Sequence, residues 1–143
     1  MGGAMRGTVH HIDLSVASLA ASALFYDLVL GFLGYRRSRT ADDGIDWDLA
    51  GDLPGPGGAA CSIGLKPARS DRPHDRYSAG LHHLAWHAAD RGDVDRLHAL
   101  LVAHGAAILD PPAEYPAYGA GYYALFFADP DGLKLEFVHF PAA

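Results

Sequence analysis

The chain has 143 residues, half of them hydrophobic, and a formal net charge of −6. This length fits one compact domain, or two half-size modules that share a core. The negative charge and the lack of a dense Lys or Arg cluster argue against a nucleic-acid surface. No run approaches the roughly 18 apolar residues of a membrane helix, and the single cysteine, Cys61, excludes an internal disulfide. We therefore expect a cytoplasmic protein without nucleic-acid or membrane partners.

The first half of the chain predicts one strand, one helix and three further strands. Residues 8–16 alternate between apolar and polar side chains, which is typical of a half-buried strand. Ser18 has the character of a helix N-cap, and apolar residues recur at helical spacing until Gly31, where we expect the helix to end. Short strand-like runs follow at 32–39, 45–49 and 59–65, with a glycine- and proline-rich loop at 51–58.

The second half repeats this order after a polar stretch at 67–79 that has no periodicity and predicts a linker. A strand is expected at 81–88 and a helix at about 92–104, before Gly105. A short strand at 106–109 and a long loop at 110–121 come next. The strand at 122–127 then leads through a tight turn at 129–132 into a final strand that ends near residue 140.

The two halves are offset by a nearly constant distance along the sequence. His11 and His83 are 72 residues apart, and Gly31 and Gly105 are 74 apart. Internal duplication explains this spacing. The predicted fold class is α+β, with two paired βαβββ modules that form a concave, partly closed mixed sheet and carry their helices outside. The modules are expected at 7–66 and 80–140, within one domain that spans 1–143.

A carboxylate stands in the middle of the last predicted strand. Leu135 and Phe137 point to one face of this strand, while Glu136 and Val138 point to the other. Burying an unpaired charge costs on the order of several kcal/mol. A bound metal ion would offset that cost, and so would a lysine or arginine partner. Glu136 is therefore a candidate metal ligand.

The same alternation places histidines from both modules on the inner face of the predicted sheet. His11 lies at the start of the first module and His83 at the equivalent place in the second. Two imidazoles and one carboxylate form a two-His-one-carboxylate ligand set. His11, His83 and Glu136 are the predicted metal ligands. The neighbouring His10 and His82 are expected on the opposite face, as structural residues.

Further residues on the predicted inner face are candidates for proton transfer or substrate contact. Asp13 and His87 lie two and four residues from a predicted ligand, so either could act as general base or orient a ligand histidine. Among the tyrosines near the long loop, a loop residue could donate to a substrate oxygen, whereas Tyr122 is expected to cap the core. Tyr118 is therefore a catalytic candidate together with Asp13 and His87. The candidates for substrate binding are Tyr115, Tyr123 and Trp47, with Asp48 beside Trp47.

Several stretches together resemble the vicinal oxygen chelate superfamily, which includes glyoxalase I, extradiol dioxygenases, fosfomycin-resistance enzymes and bleomycin-resistance proteins. HHIDLSV followed by SLAASALFYDLVLGF is similar to the opening strand and helix of that family. GLHHLAWHA is similar to the strand that opens its second module, and FFADPDGLKLEFVH to its closing strand. The resemblance implies paired βαβββ modules, ligand roles for His11, His83 and Glu136, one divalent metal ion (Fe, Mn, Zn or Ni), and a homodimer.

One position departs from the pattern of this superfamily. Many glyoxalase-type members have a fourth protein ligand on the last strand of the first module, and the repeat offset maps Glu136 onto Gly64. A site with three protein ligands and more open coordination is therefore expected. Three functions follow from the resemblance: a glyoxalase-like lyase or isomerase, an extradiol-type ring-cleaving dioxygenase, and a metal-free drug-binding protein of the bleomycin-resistance type.

Overall fold

The computed structural model of the protein describes residues 6–51 and 59–141. These residues form eight strands, two α-helices and a short 3₁₀ helix at Pro116–Tyr118. The first set is β1 (His11–Val16), α1 (Leu19–Leu33), β2 (Tyr35–Ala41), β3 (Gly44–Ala50) and β4 (Ala59–Pro67). The second set is β5 (His83–His87), α2 (Arg91–Ala103), β6 (Ala107–Glu114), β7 (Tyr123–Ala128) and β8 (Lys134–His139).

The chain divides into two compact units, Met1–Asp71 and Arg72–Ala143. Each unit has the order βαβββ and its own four-stranded mixed sheet, β1-β4-β3-β2 in the first unit and β5-β8-β7-β6 in the second. In each sheet the first and last strands of the unit pair in parallel, and the other pairs are antiparallel. The predicted α+β class with two βαβββ modules is confirmed. Neither sheet is closed.

Helix α1 is longer than the sequence analysis predicted. Ser18 is the N-cap as expected, and its Oγ accepts a hydrogen bond from the Ala21 amide at 3.1 Å. The helix passes through Gly31, however, and ends at Gly34, whose φ of 96° lies in the left-handed region that glycine tolerates. Strand β2 consequently starts at Tyr35, three residues later than predicted.

The strand that follows α2 also exceeds its prediction, because β6 continues from Ala107 to Glu114 through two prolines. Its pairing with β7 is irregular, with register shifts on both sides of Asp110. β6 is the edge strand of its sheet. A proline on the outer side of an edge strand removes no hydrogen bond of the sheet, because no further strand pairs with that side. Most of the predicted loop at 110–121 is therefore strand or 3₁₀ helix. The predicted loop at 51–58 lies largely outside the described residues.

Each helix packs against one face of its own sheet and leaves the other face for a site. In the first unit the α1 side is apolar, with Leu14, Trp47 and Ile63 buried beneath the helix. In the second unit Leu125 and Phe137 are buried on the α2 side. No helix among the described residues has the length and apolar character needed to cross a lipid bilayer.

Candidate functional site

Glu136 is the buried carboxylate at the centre of the open sheet face of the second unit. It lies in the middle of β8, paired with Ala85 on β5 and Phe126 on β7, and it is 3% exposed. Its apolar neighbours on this face are Ala124, Phe126 and Val138. Such a setting gives the charge almost no solvent to interact with.

Two side chains contact the Glu136 carboxylate, one at each oxygen. His83 Nε2 lies 3.1 Å from Oε1, and the Tyr122 hydroxyl donates to Oε2. In the described part of the chain, the only ion-pair partner of Glu136 is His83. The carboxylate therefore meets an imidazole and a phenol instead of a lysine or arginine.

Tyr122 is a site residue that the sequence analysis treated as a core cap. Burial, with the hydrogen bond to Glu136 as the next cause, raises the pKa of its phenol, so the group is a protonated donor at neutral pH. The signal that could have identified it is the alternation of Tyr122, Ala124 and Phe126, which places the tyrosine on the same face as Glu136.

A cluster of aromatic rings lies beside this carboxylate. Tyr115 stacks on Tyr118 with centroids 5.6 Å apart, and Tyr118 meets Tyr122 edge-on at 5.3 Å. Tyr115 also contacts Phe126 edge-on at 5.4 Å. Tyr115 is half-buried, whereas Tyr118 is 62% exposed. Two of the predicted tyrosines thus lie on the Glu136 face, and Tyr118 is accessible from solvent.

The structure places two other predicted substrate contacts on the helix sides of their sheets, and both predictions are wrong. Trp47 is 1% exposed, and its Nε1 donates to Asp27 Oδ1 on α1 at 2.9 Å. The Tyr123 hydroxyl donates to Asp95 Oδ1 on α2 at 2.6 Å. The reason in each case is the two-residue period of a strand, since the neighbours Asp48 and Tyr122 occupy the open faces.

The open face of the first unit forms a polar pocket of about 270 Å³. Its walls carry carboxylates, hydroxyls, imidazoles and one ammonium group, from His10, His11, Asp13, Ser38, Asp46, Asp48, Ser62, Gly64 and Lys66. His11 Nε2 lies 3.9 Å from Asp13 Oδ2, and both side chains are about half exposed. Two predicted residues, His11 and Asp13, therefore share this pocket.

Gly64 stands where the duplication expects a carboxylate, and the pairing registers support that equivalence. Asp13 and Asp46 flank Gly64 on β1 and β3, as Ala85 and Phe126 flank Glu136 on β5 and β7. A Cβ at position 64 would collide with the carboxylate ends of both aspartates. Acidic groups thus reach over the glycine from the adjacent strands in the first unit, whereas in the second unit the central residue itself carries the acid.

The histidines that precede His11 and His83 do not lie on the opposite face, which corrects the prediction for His10 and His82. His10 Nδ1 lies 2.9 Å from His11 Nδ1, and His82 Nδ1 lies 2.8 Å from His83 Nδ1. Strands β1 and β5 begin at His11 and His83, so the residue before each strand does not follow its alternation.

His87 ends β5 and is exposed, on the face of the strand that carries His83. Within the described residues, no group of three or more His, Cys, Asp or Glu side chains is placed to hold a metal ion. The second unit by itself brings together two of the predicted ligands, His83 and Glu136.

Comparison with known proteins assigns the family. The sequence model of the Glyoxalase/Bleomycin resistance protein/Dioxygenase superfamily matches residues 8–137. The chain belongs to this superfamily.

The chain is similar to two proteins and to one solved structure over nearly its full length. Uncharacterized protein YqjT of Bacillus subtilis (strain 168) is 33% identical over 130 residues, which cover 91% of this chain and 97% of that protein. Uncharacterized protein YaeR of Escherichia coli (strain K12) is 32% identical and covers 90% and 92% of the two chains. The crystal structure of a glyoxylase/bleomycin resistance protein/dioxygenase domain from Frankia sp. EAN1pec has a TM-score of 0.68 at 25% identity, covering 93% and 97%.

Members of the glyoxalase/bleomycin resistance/dioxygenase superfamily bind small-molecule substrates and typically hold a divalent metal ion. The donor set fits such an ion, because a buried carboxylate with an imidazole beside it supplies the O and N ligands that first-row divalent metals accept.

Proposed function

We propose that this chain is a metal-dependent enzyme that binds two adjacent oxygens of a small substrate, with a reaction of the glyoxalase-like lyase or isomerase type. The observation that carries the proposal is the Glu136 carboxylate, which is 3% exposed and, among the described residues, is contacted by an imidazole and a phenol but by no lysine or arginine. Burial of a carboxylate without a full opposite charge costs on the order of several kcal/mol, and the two hydrogen bonds offset only a part of that cost. A divalent cation beside Glu136 would remove that cost.

The proposed ligands are His11, His83 and Glu136, and the ion is Fe, Mn, Zn or Ni. Two neutral imidazoles and one carboxylate would leave a divalent ion with a net charge of about +1 and with open positions. When bound, the ion would act as a Lewis acid on the substrate oxygens and stabilise an enolate or enediolate. We also propose that the protein forms a homodimer.

The proton-transfer step needs a base from the chain itself. Asp13 is the first candidate, since its carboxylate is about 43% exposed in the pocket that also contains His11. His87 is the alternative, since it shares a strand face with His83 and is open to solvent. Whichever of the two is not the base would orient a ligand histidine.

Two tyrosines would shape the substrate end of the site. Tyr118 is exposed above the ring of Tyr122, so its hydroxyl is free to approach a substrate oxygen. Tyr115 is held flat against Tyr118 and would form the apolar wall behind it.

Ring cleavage by an extradiol-type dioxygenase is the second candidate. Gly64 favours it, because the absence of a carboxylate side chain at this position leaves three protein ligands and more free coordination positions for a catechol and oxygen. The third candidate, a metal-free drug-binding protein, is disfavoured by the buried Glu136, since a binder of flat apolar drugs has no need of a carboxylate in its apolar face.

Elemental analysis of protein purified without chelator separates the three candidates. We expect one divalent metal per chain, and conversion of a substrate that carries a carbonyl next to a hydroxyl carbon. Iron together with catechol-dependent oxygen uptake would favour the dioxygenase. Full binding of a bleomycin-type drug without metal would overturn the metal-dependent proposal.

A further inference from the structure

Each unit contains a pair of adjacent histidines in the same arrangement. In the first pair, His10 and His11, the ring centroids are 5.2 Å apart and the ring planes are inclined at 84°. In the second pair, His82 and His83, the values are 5.0 Å and 76°. Both pairs are joined through their Nδ1 atoms, at 2.9 and 2.8 Å. The arrangement therefore occurs at the equivalent place in both units.

The second histidine of each pair turns its other ring nitrogen toward a carboxylate. His11 Nε2 is 3.9 Å from Asp13 Oδ2, and His83 Nε2 is 3.1 Å from Glu136 Oε1. The first histidine of each pair is exposed. In both units the inner imidazole is thus held at Nδ1 by its neighbour and presents Nε2 to the site.

An Nδ1 to Nδ1 contact holds a single hydrogen, which either ring can carry. Histidines that bind metals usually give their second N–H to a carbonyl or a carboxylate, and such groups only accept. An imidazole can donate or accept. The inner histidine can therefore move its proton from one ring nitrogen to the other without losing its Nδ1 partner.

We infer that His10 and His82 are positioning residues that hold the inner histidines through Nδ1 in either tautomer and keep Nε2 aimed at the metal position. This inference rests on the proposed function. Its physical basis is that a ligand imidazole must carry its lone pair on the coordinating nitrogen and, if neutral, its proton on the other.

The proton balance can be followed for His83. If His83 Nε2–H donates to Glu136 Oε1 across the 3.1 Å contact in the free protein, His83 Nδ1 accepts from His82 Nδ1–H. When Nε2 serves as a ligand, it releases its proton to water, and the hydrogen between the rings belongs to His83 Nδ1. His82 then takes one proton from water at its exposed Nε2. The two rings together carry the same number of protons before and after the change.

Long-range ¹H–¹⁵N NMR of histidine-labelled protein reads these tautomers directly, with or without Zn²⁺. In the free protein we expect His83 to be protonated at Nε2 and His82 at Nδ1. After addition of Zn²⁺, which is diamagnetic, both assignments should exchange. The zinc affinity is measured in parallel by competition with a chromophoric chelator.

Variants of His82 separate positioning from a general structural effect. His82→Ala should lower the zinc affinity by about 10- to 100-fold, the usual effect of removing an outer partner of a ligand histidine. His82→Asn should restore most of it, because an asparagine amide can donate or accept near the position of Nδ1. The control is His98→Ala, on α2, which should bind zinc like the wild type.

The outcomes distinguish this inference from the proposed function. If the wild type binds zinc while His82→Ala binds equally well and the tautomer of His83 does not change, the role of the outer histidine is overturned and the metal site stands. If the wild type binds neither Zn²⁺ nor another of the proposed metals, the proposed function falls, and the inference falls with it.

Discussion

Replacement of Glu136 by glutamine tests the central carboxylate with little change in shape. The side chain is 3% exposed between His83 and the Tyr122 hydroxyl. Glutamine keeps the volume and an acceptor for Tyr122 but removes the charge, so the fold should be retained. A loss of one of three ligands should weaken metal binding by about 100-fold or more, beyond the effect of an outer-shell change.

Thermal unfolding with and without metal converts this loss into a measurable shift. At a metal concentration 100 times the Kd, the wild type should gain about 2.7 kcal/mol, whereas a variant that binds about 100-fold more weakly should gain about 0.4 kcal/mol. At roughly 2–4 °C per kcal/mol for a chain of this size, the Tm should rise by about 5–11 °C in the wild type and by about 1–2 °C in Glu136→Gln.

The matched control for this experiment is Asp95→Asn. Asp95 also accepts a hydrogen bond from a tyrosine, at 2.6 Å from the Tyr123 hydroxyl, but on the helix side of the sheet. It should show the wild-type metal shift. A Glu136→Gln protein with the full metal-dependent rise in Tm would refute the assignment of Glu136 as a ligand.

Three further changes test the surroundings of the site and the cores beneath it. Tyr122→Phe removes the phenol that holds Glu136 and should weaken metal binding by about 10- to 100-fold in a chelator competition, whereas Tyr123→Phe should not; equal affinities would contradict this role. Gly119→Ala should lower the free energy of unfolding in urea by about 1–3 kcal/mol, because φ at this residue is 144° and a methyl group would strike the Phe140 ring; an unchanged midpoint would argue against that contact. Arg37 on β2 donates to Asp27 and holds the pKa of this carboxyl below its usual value. The stabilising effect of this pair is therefore present above the unfolded-state pKa of about 3.9 and is lost as the pH falls through the lower folded-state value. Asp27→Asn should therefore lose less stability than the wild type on acidification over that range, which acid titration of the circular dichroism signal measures, and identical acid profiles would count against the pKa shift.

Strand alternation explains why Trp47 and Tyr123 do not lie on the open faces of their sheets. The side chains of a strand alternate with a period of two, so these residues point away from the faces of Asp48 and Tyr122. The indole and the phenol instead point toward the helices, where Asp27 and Asp95 accept their hydrogen bonds. Tyr122, one residue from Tyr123, reaches Glu136 for the same reason.

The pattern of the chain by itself determined the order of its elements. Alternation in the strands, helical spacing after Ser18, and the 72-residue offset between His11 and His83 are local or repeated features, so they could be read without coordinates. The same features located Glu136 in the middle of an apolar strand, because successive side chains of a strand alternate between its two faces.

Only the tertiary structure decided which side chains meet. The contacts of Glu136 with His83 and Tyr122 join residues 53 and 14 positions apart. The carboxylates of Asp13 and Asp46 both lie over Gly64 because of strand register. Register and side-chain direction depend on pairings between distant strands, and a linear sequence carries no direct record of those pairings. That dependence is why the sequence predicted the acid at the centre of the site and the structure was needed to find the groups that hold it.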